Sequence, residues 1–186
     1  LAHTFCLHYK VEIKWENIYL RRVKSLPDNK LSEFMYKILN NLILCRSTLF
    51  KWKRVDTQVC PLCKEQETIR HIYFDCTFMQ TVWSKLSECL KVSLSWEKII
   101  IGFTDDTVIH RFRNLIMTIT MYARFKYWLK GLEDNIPISI FITVLTKDLT
   151  VWDNLILCSS FDKNHNVFKS IWKKSKVTQH IQTLKL

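Results

Sequence analysis

Residues 60–76 read CPLCKEQETIRHIYFDC and place three cysteines and one histidine within seventeen positions. The spacing is Cys-x2-Cys, then seven residues, His, four residues and Cys. Two residues between the first two thiolates let a tight turn direct both sulfurs at one ion, and Pro61 presets the backbone for that turn. The predicted ligands of one tetrahedral Cys3His zinc site are Cys60, Cys63, His71 and Cys76.

Four protein ligands fill the coordination sphere of such an ion, whereas a catalytic zinc keeps one position open for water. One zinc per chain is therefore expected, with a structural role that contributes to folding. On an ideal helix His71 and Cys76 would lie about 140° apart around the axis, so both cannot face one ion. The sequence predicts a helical turn through His71, a break near Asp75 and a new helix after Cys76.

Other acidic and thiol side chains have their own predicted roles. Glu67 lies four residues before His71, so it is expected to accept a hydrogen bond from the imidazole ring or, alternatively, to be a solvated helix residue. Clustered Cys and His with no visible secretion signal favour a metal site in a reducing compartment over disulfides. The remaining cysteines are expected to be small buried hydrophobic residues: Cys6, Cys45, Cys89 and Cys158.

The composition predicts a mainly α fold, a helical domain with a small zinc-stapled Cys3His module between helices. Hydrophobic residues make up 48% of the 186 residues, which is enough for a buried core. The chain has two glycines and three prolines, and an all-β protein with many tight turns would need more of both. The longest uncharged apolar-rich run, residues 135–146, is too short to span a membrane.

Apolar periodicity predicts two helices around the cluster. The first covers residues 31–45, with Phe34, Ile38, Leu42 and Cys45 on one face. The second covers residues 77–91, with Phe78, Val82, Leu86 and Leu90 in register.

Further helices are expected after the cluster. Residues 95–101 form a helix or a strand closed by Gly102. Asp105-Asp106 then cap a long helix that ends near Leu129, before Gly131. The last two expected helices cover residues 135–157, where β-branched residues also fit a strand, and residues 165–175.

The large aromatic side chains are expected to fill the core: Trp15, Phe34, Trp83, Phe112, Trp128 and Trp152. Two segments are predicted, residues 1–92 with the zinc module and residues 93–186 with a basic tail, or one continuous domain made of both.

Positive charge is concentrated on both sides of the cluster. The net charge of +11 divides into +7 for residues 10–54, −3 for 55–110, +2 for 111–163 and +5 for 164–186. Such a field attracts polyanions, so RNA or single-stranded DNA is the expected partner and no membrane partner is expected.

Cationic and aromatic side chains alternate just before the cluster, in residues 50–54. Aromatic rings can stack on bases while Lys and Arg pair with phosphates, which suits single strands. Alternatively, Phe50 and Trp52 pack in the core and the charges only improve solubility. The predicted nucleic-acid-binding residues are Arg46, Lys51, Trp52, Lys53 and Arg54, with Lys169, Lys173, Lys174 and Lys176 in the tail.

The cluster and the tryptophan after it resemble the zinc-binding region that follows the reverse transcriptase in LINE-type non-LTR retrotransposon proteins. In that family a Cys-x-x-Cys pair is followed by Glu-Thr, a His with large apolar residues, a Cys and a Trp. The resemblance covers about residues 15–90, and residues 100–172 are similar to the C-terminal tail of the vertebrate branch. The matching positions are Cys60, Cys63, Glu67, Thr68, His71, Ile72, Phe74, Cys76 and Trp83.

The resemblance implies a region that helps to hold template RNA or target DNA during reverse transcription, with an upstream reverse transcriptase domain as a partner. It implies no catalysis in this chain, and no catalytic residue is predicted, because polymerase and endonuclease motifs are absent. Asp105-Asp106 follow an aromatic residue as in the polymerase motif, but no polymerase palm sequence surrounds them and a helix cap explains them better.

Other interpretations stay open. The chain is alternatively a zinc-stabilised protein-interaction module, or a retroelement-derived fragment without current activity. It begins Leu-Ala-His rather than Met, which indicates a piece of a longer protein. With no signal peptide visible, the expected location is intracellular, in the cytoplasm, the nucleus or both.

Overall fold

The computed structural model describes residues 14–133, Pro137, 139–158 and 164–183. Within these ranges the chain is helical apart from turns, loops and one isolated β-bridge, so the predicted mainly α fold is confirmed. Two π-helical segments, Leu20–Lys24 and His71–Asp75, accompany the α-helices. The α-helices are α1 (Trp15–Tyr19), α2 (Asn29–Leu39), α3 (Arg46–Lys51), α4 (Thr77–Leu90), α5 (Trp96–Ile101), α6 (Val108–Glu133), α7 (Ser139–Cys158), α8 (His165–Ser175) and α9 (Val177–Gln182).

Helix α2 is shorter than the predicted residues 31–45. Its start is capped by Asp28, whose side chain accepts hydrogen bonds from two backbone N–H groups of the first turn. The helix ends at Leu39, because the backbone turns into the left-handed region at Asn41, where φ is 58°. Leu42 is consequently 57% exposed instead of lying on the buried face.

Helices α4 and α5 agree with the predictions for residues 77–91 and 95–101. The four apolar residues predicted to share a face of α4 are all buried. Residues 95–101, which fitted either a helix or a strand, form helix α5. The side chain of Ser95 accepts a hydrogen bond from a backbone N–H of the first turn, and Gly102, with φ of 79°, ends the helix.

Both predicted ends of α6 are wrong. Thr107 caps the start in place of Asp105-Asp106, because its hydroxyl accepts a hydrogen bond from the backbone N–H three residues on. Asp106 pairs instead with Arg111, at 3.0 Å. Gly131 lies inside the helix, which continues to Glu133; a glycine is tolerated there at about 1 kcal/mol relative to alanine.

The β-branched segment, for which both a helix and a strand were predicted, forms helix α7. Helix α8 matches the predicted residues 165–175, and α9 follows it directly. The expected helix start at Asn135 and the side chains of Cys6 and Cys158 lie outside the described residues. Within the described part of the chain, every helix is too short or too polar to cross a lipid bilayer.

One hydrophobic core includes helices from both predicted segments. The long helix α6 packs against α2, α5, α7 and α8, while α9 packs against α4 and α7. The division between residues 92 and 93 stays a prediction. Of the aromatic residues expected in the core, Trp15 is half-buried and the others are buried: Phe34, Trp83, Phe112, Trp128 and Trp152.

Candidate metal centre

A short hairpin holds Cys60 and Cys63. An antiparallel bridge joins Val59 to Gln66, and the backbone N–H of Lys64 donates to the carbonyl of Cys60 at 2.9 Å. Lys64 adopts a left-handed φ of 65°, which turns the chain back on itself. The Cys-x2-Cys spacing therefore forms the tight turn that the sequence predicts.

A π-helical turn brings His71 and Cys76 together. The backbone N–H of Cys76 donates to the carbonyl of His71 at 3.0 Å, so this bond spans five residues where an α-helix spans four. Cys76 then leaves the helical region, with ψ of 127°, and α4 begins at Thr77. The predicted turn, break and new helix are confirmed, and the wider turn resolves the angular conflict of an α-helix.

The four predicted ligands form one cluster. Their ligand atoms, three Sγ and one imidazole nitrogen, all lie within 4.8 Å of one another. The Sγ atoms of Cys63 and Cys76 are 3.9 Å apart, and His71 Nε2 is 3.1 Å from Cys63 Sγ. Zn–S bonds of about 2.3 Å at tetrahedral angles place two sulfurs roughly 3.8 Å apart. The cluster therefore fits one zinc ion.

The chemistry of the thiols also fits a bound cation. A hydrogen bond from Cys76 lowers the pKa of the Cys60 thiol, while the same bond and burial raise the pKa of Cys76. The protein alone therefore favours a thiolate beside a thiol. A divalent ion with thiolate affinity allows every sulfur to ionise, and cysteine thiolates with imidazole are the donors that structural zinc takes.

Side chains of α4 hold the π-helical turn in place. The indole N–H of Trp83 donates to the carbonyl of Tyr73 at 2.7 Å, and the amide of Gln80 donates to the carbonyl of Phe74 at 2.7 Å. Both carbonyls belong to the turn between the last two ligands. Apolar spacing places Trp83 in the core, but it carries no signal for a π-helical turn and so does not predict this hydrogen bond.

Trp83→Phe is expected to lower zinc affinity about 10–100-fold, the usual effect of losing a group that orients a ligand. It also leaves the buried carbonyl of Tyr73 without its donor, which costs about 1–3 kcal/mol of folding free energy. Competition with a chromophoric chelator and urea unfolding measure the two effects. Trp96→Phe is the matched control, because Trp96 packs on Phe74 through its ring. Equal zinc affinity in both variants would contradict the positioning role.

Glu67 makes different contacts from those expected. It is fully buried, and its Oε1 accepts hydrogen bonds from the backbone N–H of Arg46 at 2.9 Å and from the indole of Trp128 at 2.8 Å. Both predictions for Glu67, a bond to His71 and a solvated side chain, are therefore corrected. The hairpin ends where its carboxylate can reach α3 and α6. Burial raises the pKa of Glu67, while these two hydrogen bonds oppose that rise.

Arg124 is a buried cation that no pattern in the sequence predicts. It belongs to α6, is 1% exposed, and its guanidinium lies 5.4 Å from the ring centre of Tyr127. Burial raises the pKa of Glu67 and of Tyr73, and the positive charge of Arg124 partly opposes both rises. Electrostatic contact therefore adds to the hydrogen bond of Trp128 in joining α6 to the metal centre.

The residues before the hairpin form an exposed basic–aromatic surface, defined here as Phe50, Lys51, Trp52, Lys53 and Arg54. Trp52 is 58% exposed and Phe50 is 43% exposed, so neither ring packs in the core. The three cationic side chains are exposed as well. Arg46 does not belong to this surface, because its guanidinium donates to the carbonyl of Gly131 at 3.1 Å.

The cations predicted in the tail lie on and after α8. Lys173, Lys174 and Lys176 are exposed, whereas Lys169 is half-buried. Trp172, between them, is buried and donates a hydrogen bond to Asp153 of α7. The exposed lysines therefore lie on, or directly after, a helix that is fixed to the core.

Residues 4–83 match the family model described as zinc-binding in reverse transcriptase. The matched range contains all four ligands and ends at Trp83, which holds the π-helical turn. No curated protein and no solved structure gives a significant match to the chain. Ligand geometry and the family match thus agree on one zinc ion.

Proposed function

We propose, from the premise that residues 4–83 match the family described as zinc-binding in reverse transcriptase, that this chain engages nucleic acid without catalysing a reaction and assists RNA or DNA binding in reverse transcription. The zinc of this proposal has a structural role, because the four clustered ligand groups are enough to fill a tetrahedral coordination sphere. The proposal includes a LINE-type retrotransposon protein as the parent, its upstream reverse transcriptase domain as a partner, and an intracellular location in the cytoplasm or nucleus.

The main support for nucleic-acid binding is the exposure of Trp52. A tryptophan that is 58% exposed between two lysines offers a stacking face with cations on both sides. Stacking of a base on an aromatic ring is worth about 1–3 kcal/mol and tolerates any base, and the cations pair with the phosphates. The net charge of +11 adds long-range attraction for a polyanion.

The backbone fixes the shape of this surface. The N–H groups of Trp52, Lys53 and Arg54 donate to carbonyls of the preceding turn at 3.2, 2.9 and 2.9 Å. The first turn of α3 is attached to the hairpin, because the backbone N–H of Arg46 donates to Glu67 Oε1 and that of Ser47 to the Glu67 carbonyl. Zinc, which holds the hairpin, therefore supports the basic–aromatic surface.

Reversal of Lys51, Lys53 and Arg54 to Glu is expected to abolish binding of single-stranded RNA near physiological salt. Each cation that neutralises a phosphate contributes a slope of about 0.7 in log affinity against log salt for single strands. Loss of three such contacts should lower the slope by about 2. Fluorescence anisotropy of the zinc-loaded chain with a labelled oligonucleotide, across a salt series, measures both quantities.

A second triple variant separates local contact from net charge. Lys30, Lys91 and Lys147 are exposed and lie outside the basic–aromatic surface, and their reversal to Glu changes the net charge by the same amount. Under the proposal this control keeps most of the affinity and the slope. Equal affinity in the two triple variants would remove the basic–aromatic surface from the proposed function.

Exposed apolar side chains support the second candidate, a protein-interaction module. Leu42 is 57% exposed and Leu44 is 36% exposed, in the segment that leads into α3. Together with Phe50 and Trp52 they offer apolar area to a protein partner. Weak RNA binding by the unaltered chain, with a shallow salt slope, would favour this candidate over nucleic acid.

A further inference from the structure

A narrow cleft lies outside the metal centre, between the π-helical segment Leu20–Lys24, the first turns of α6, and α8. Its volume is about 40 Å³, which is room for a group of a few heavy atoms. The residues that line it include Arg21, Ser25, Pro27, Arg111, Asn114 and Phe168. Two arginine residues, each with a guanidinium group, therefore line a space of the size of a small ion.

One of these guanidinium groups has an unused donor. Arg21 Nη1 is shielded from solvent and has no hydrogen-bond partner among the described residues. Shielded donors in native proteins are nearly always paired, and a charged donor left unpaired is especially unfavourable. A ligand that accepts hydrogen bonds in the cleft would satisfy this atom.

The local charge favours an anion as that ligand. Arg22, next to Arg21 in the chain, is fully buried, and its guanidinium donates to three backbone carbonyls. Across the described part of the chain, neither Arg21 nor Arg22 forms an ion pair with a carboxylate. Arg111 is paired with Asp106 at 3.0 Å. Positive charge therefore exceeds negative charge around the cleft.

We propose that this cleft binds one phosphate-class oxyanion, held by Arg21 Nη1 and facing Arg111. Guanidinium groups suit such an anion, because their fixed N–H geometry matches tetrahedral phosphate oxygens. The anion is supplied as free phosphate or as a backbone phosphate of nucleic acid, since both present the same oxygens. The second source rests on the proposed function, whereas the first does not.

Thermal unfolding in inorganic phosphate tests the site. The zinc-loaded chain is compared in sodium phosphate and sodium chloride of equal ionic strength, as wild type, Arg21→Gln and Lys24→Gln. Lys24 is an exposed cation on the same π-helical segment, so its variant is the matched control. Phosphate also stabilises folded proteins by exclusion from their surface, and that effect is common to all three chains.

Phosphate at ten times its Kd should raise the Tm of the wild type and of Lys24→Gln. Their gain should exceed the gain of Arg21→Gln by about 3–6 °C. Equal gains in all three chains would overturn the site. If Arg21→Gln does not fold, calorimetric titration of the wild type with phosphate replaces it. Saturable binding of one phosphate supports the site, and no binding overturns it.

RNA binding across a salt series identifies the source of the anion. A backbone phosphate in the cleft predicts that Arg21→Gln lowers the slope of log affinity against log salt by about 0.7. An unchanged slope, with the Tm gain lost, identifies free phosphate as the occupant. Failure of the basic–aromatic surface to bind RNA would leave the phosphate titration unaffected, so the two proposals fail separately.

Discussion

Cys63→Ser and His71→Ala are each expected to lose the bound zinc and to unfold the segment that it holds. Between residues 52 and 70 only Cys60 and Glu67 are buried, so this segment has almost no core of its own. The hairpin and the π-helical turn meet at the four ligands, and an incomplete ligand set cannot close a tetrahedral site.

The expected loss of stability is large compared with the stability of a domain. Structural zinc contributes about 10–16 kcal/mol apparent at neutral pH in small zinc modules. A whole domain is stable by only about 5–15 kcal/mol. Unfolding should therefore include at least the hairpin and the π-helical turn, and should extend to α3 through Glu67, which bonds to the start of that helix.

Metal analysis by mass spectrometry and far-ultraviolet circular dichroism measure the two effects. Chelation of zinc from the unaltered chain should reproduce the loss of helix seen in the variants. Cys89→Ser is the matched control, because Cys89 is half-buried in α4 and does not belong to the ligand cluster. It should keep one zinc per chain. Full zinc occupancy in Cys63→Ser and His71→Ala would show that the ligand set is wrong.

Features that depend on local spacing could be predicted from the sequence. The ligands follow from the chemistry of Cys and His at short intervals, and the break between His71 and Cys76 follows from helix geometry alone. The buried face of α4 repeats every four residues, so its apolar pattern is unambiguous. Each of these signals lies within about twenty residues of chain, where periodicity and turn chemistry act directly.

Features that depend on long-range contacts could not be predicted. Glu67 is spaced correctly to reach His71, yet its carboxylate accepts a hydrogen bond from Trp128, 61 residues away. Arg46 is part of a basic stretch, but its guanidinium reaches Gly131, 85 residues away. No periodic pattern marks such partners. The prediction of helix ends was wrong for a related reason. The left-handed turn at Asn41 ends α2 inside an apolar pattern that would otherwise continue.

The junction of α5 and α6 is built around a buried arginine. Arg22 donates to the carbonyls of Ile99 at 2.7 Å and Ile100 at 3.2 Å, in the last turn of α5, and to the carbonyl of Asn114 in α6 at 3.0 Å. The bonds to Ile99 and Ile100 satisfy carbonyls at the end of α5 that have no partner within that helix. Burial lowers the pKa of Arg22 to about 9, so the guanidinium stays charged at neutral pH.

Gly102→Ala is expected to destabilise the chain by roughly 2–6 kcal/mol, the sum of backbone strain and overpacking. Gly102 has φ of 79° and ψ of −173°, a region that only glycine adopts readily. An added Cβ would lie 2.5 Å from Arg22 Cδ and 2.7 Å from Asn114 Oδ1. Arg22 cannot move aside without breaking its three hydrogen bonds. The expected fall in Tm is about 5–20 °C, measured by thermal unfolding.

Gly131→Ala is the same substitution at a position where it is expected to increase the stability of the chain instead of lowering it. Gly131 lies in α6, where alanine is favoured by about 0.5–1 kcal/mol. A double-mutant cycle with Arg22→Ala then separates the two causes at Gly102. If the clash with Arg22 contributes, Gly102→Ala costs less in the Arg22→Ala background. An equal cost in both backgrounds would assign the effect to backbone strain and to the contact with Asn114 Oδ1, and no cost in either would refute the close packing of Gly102 against Arg22.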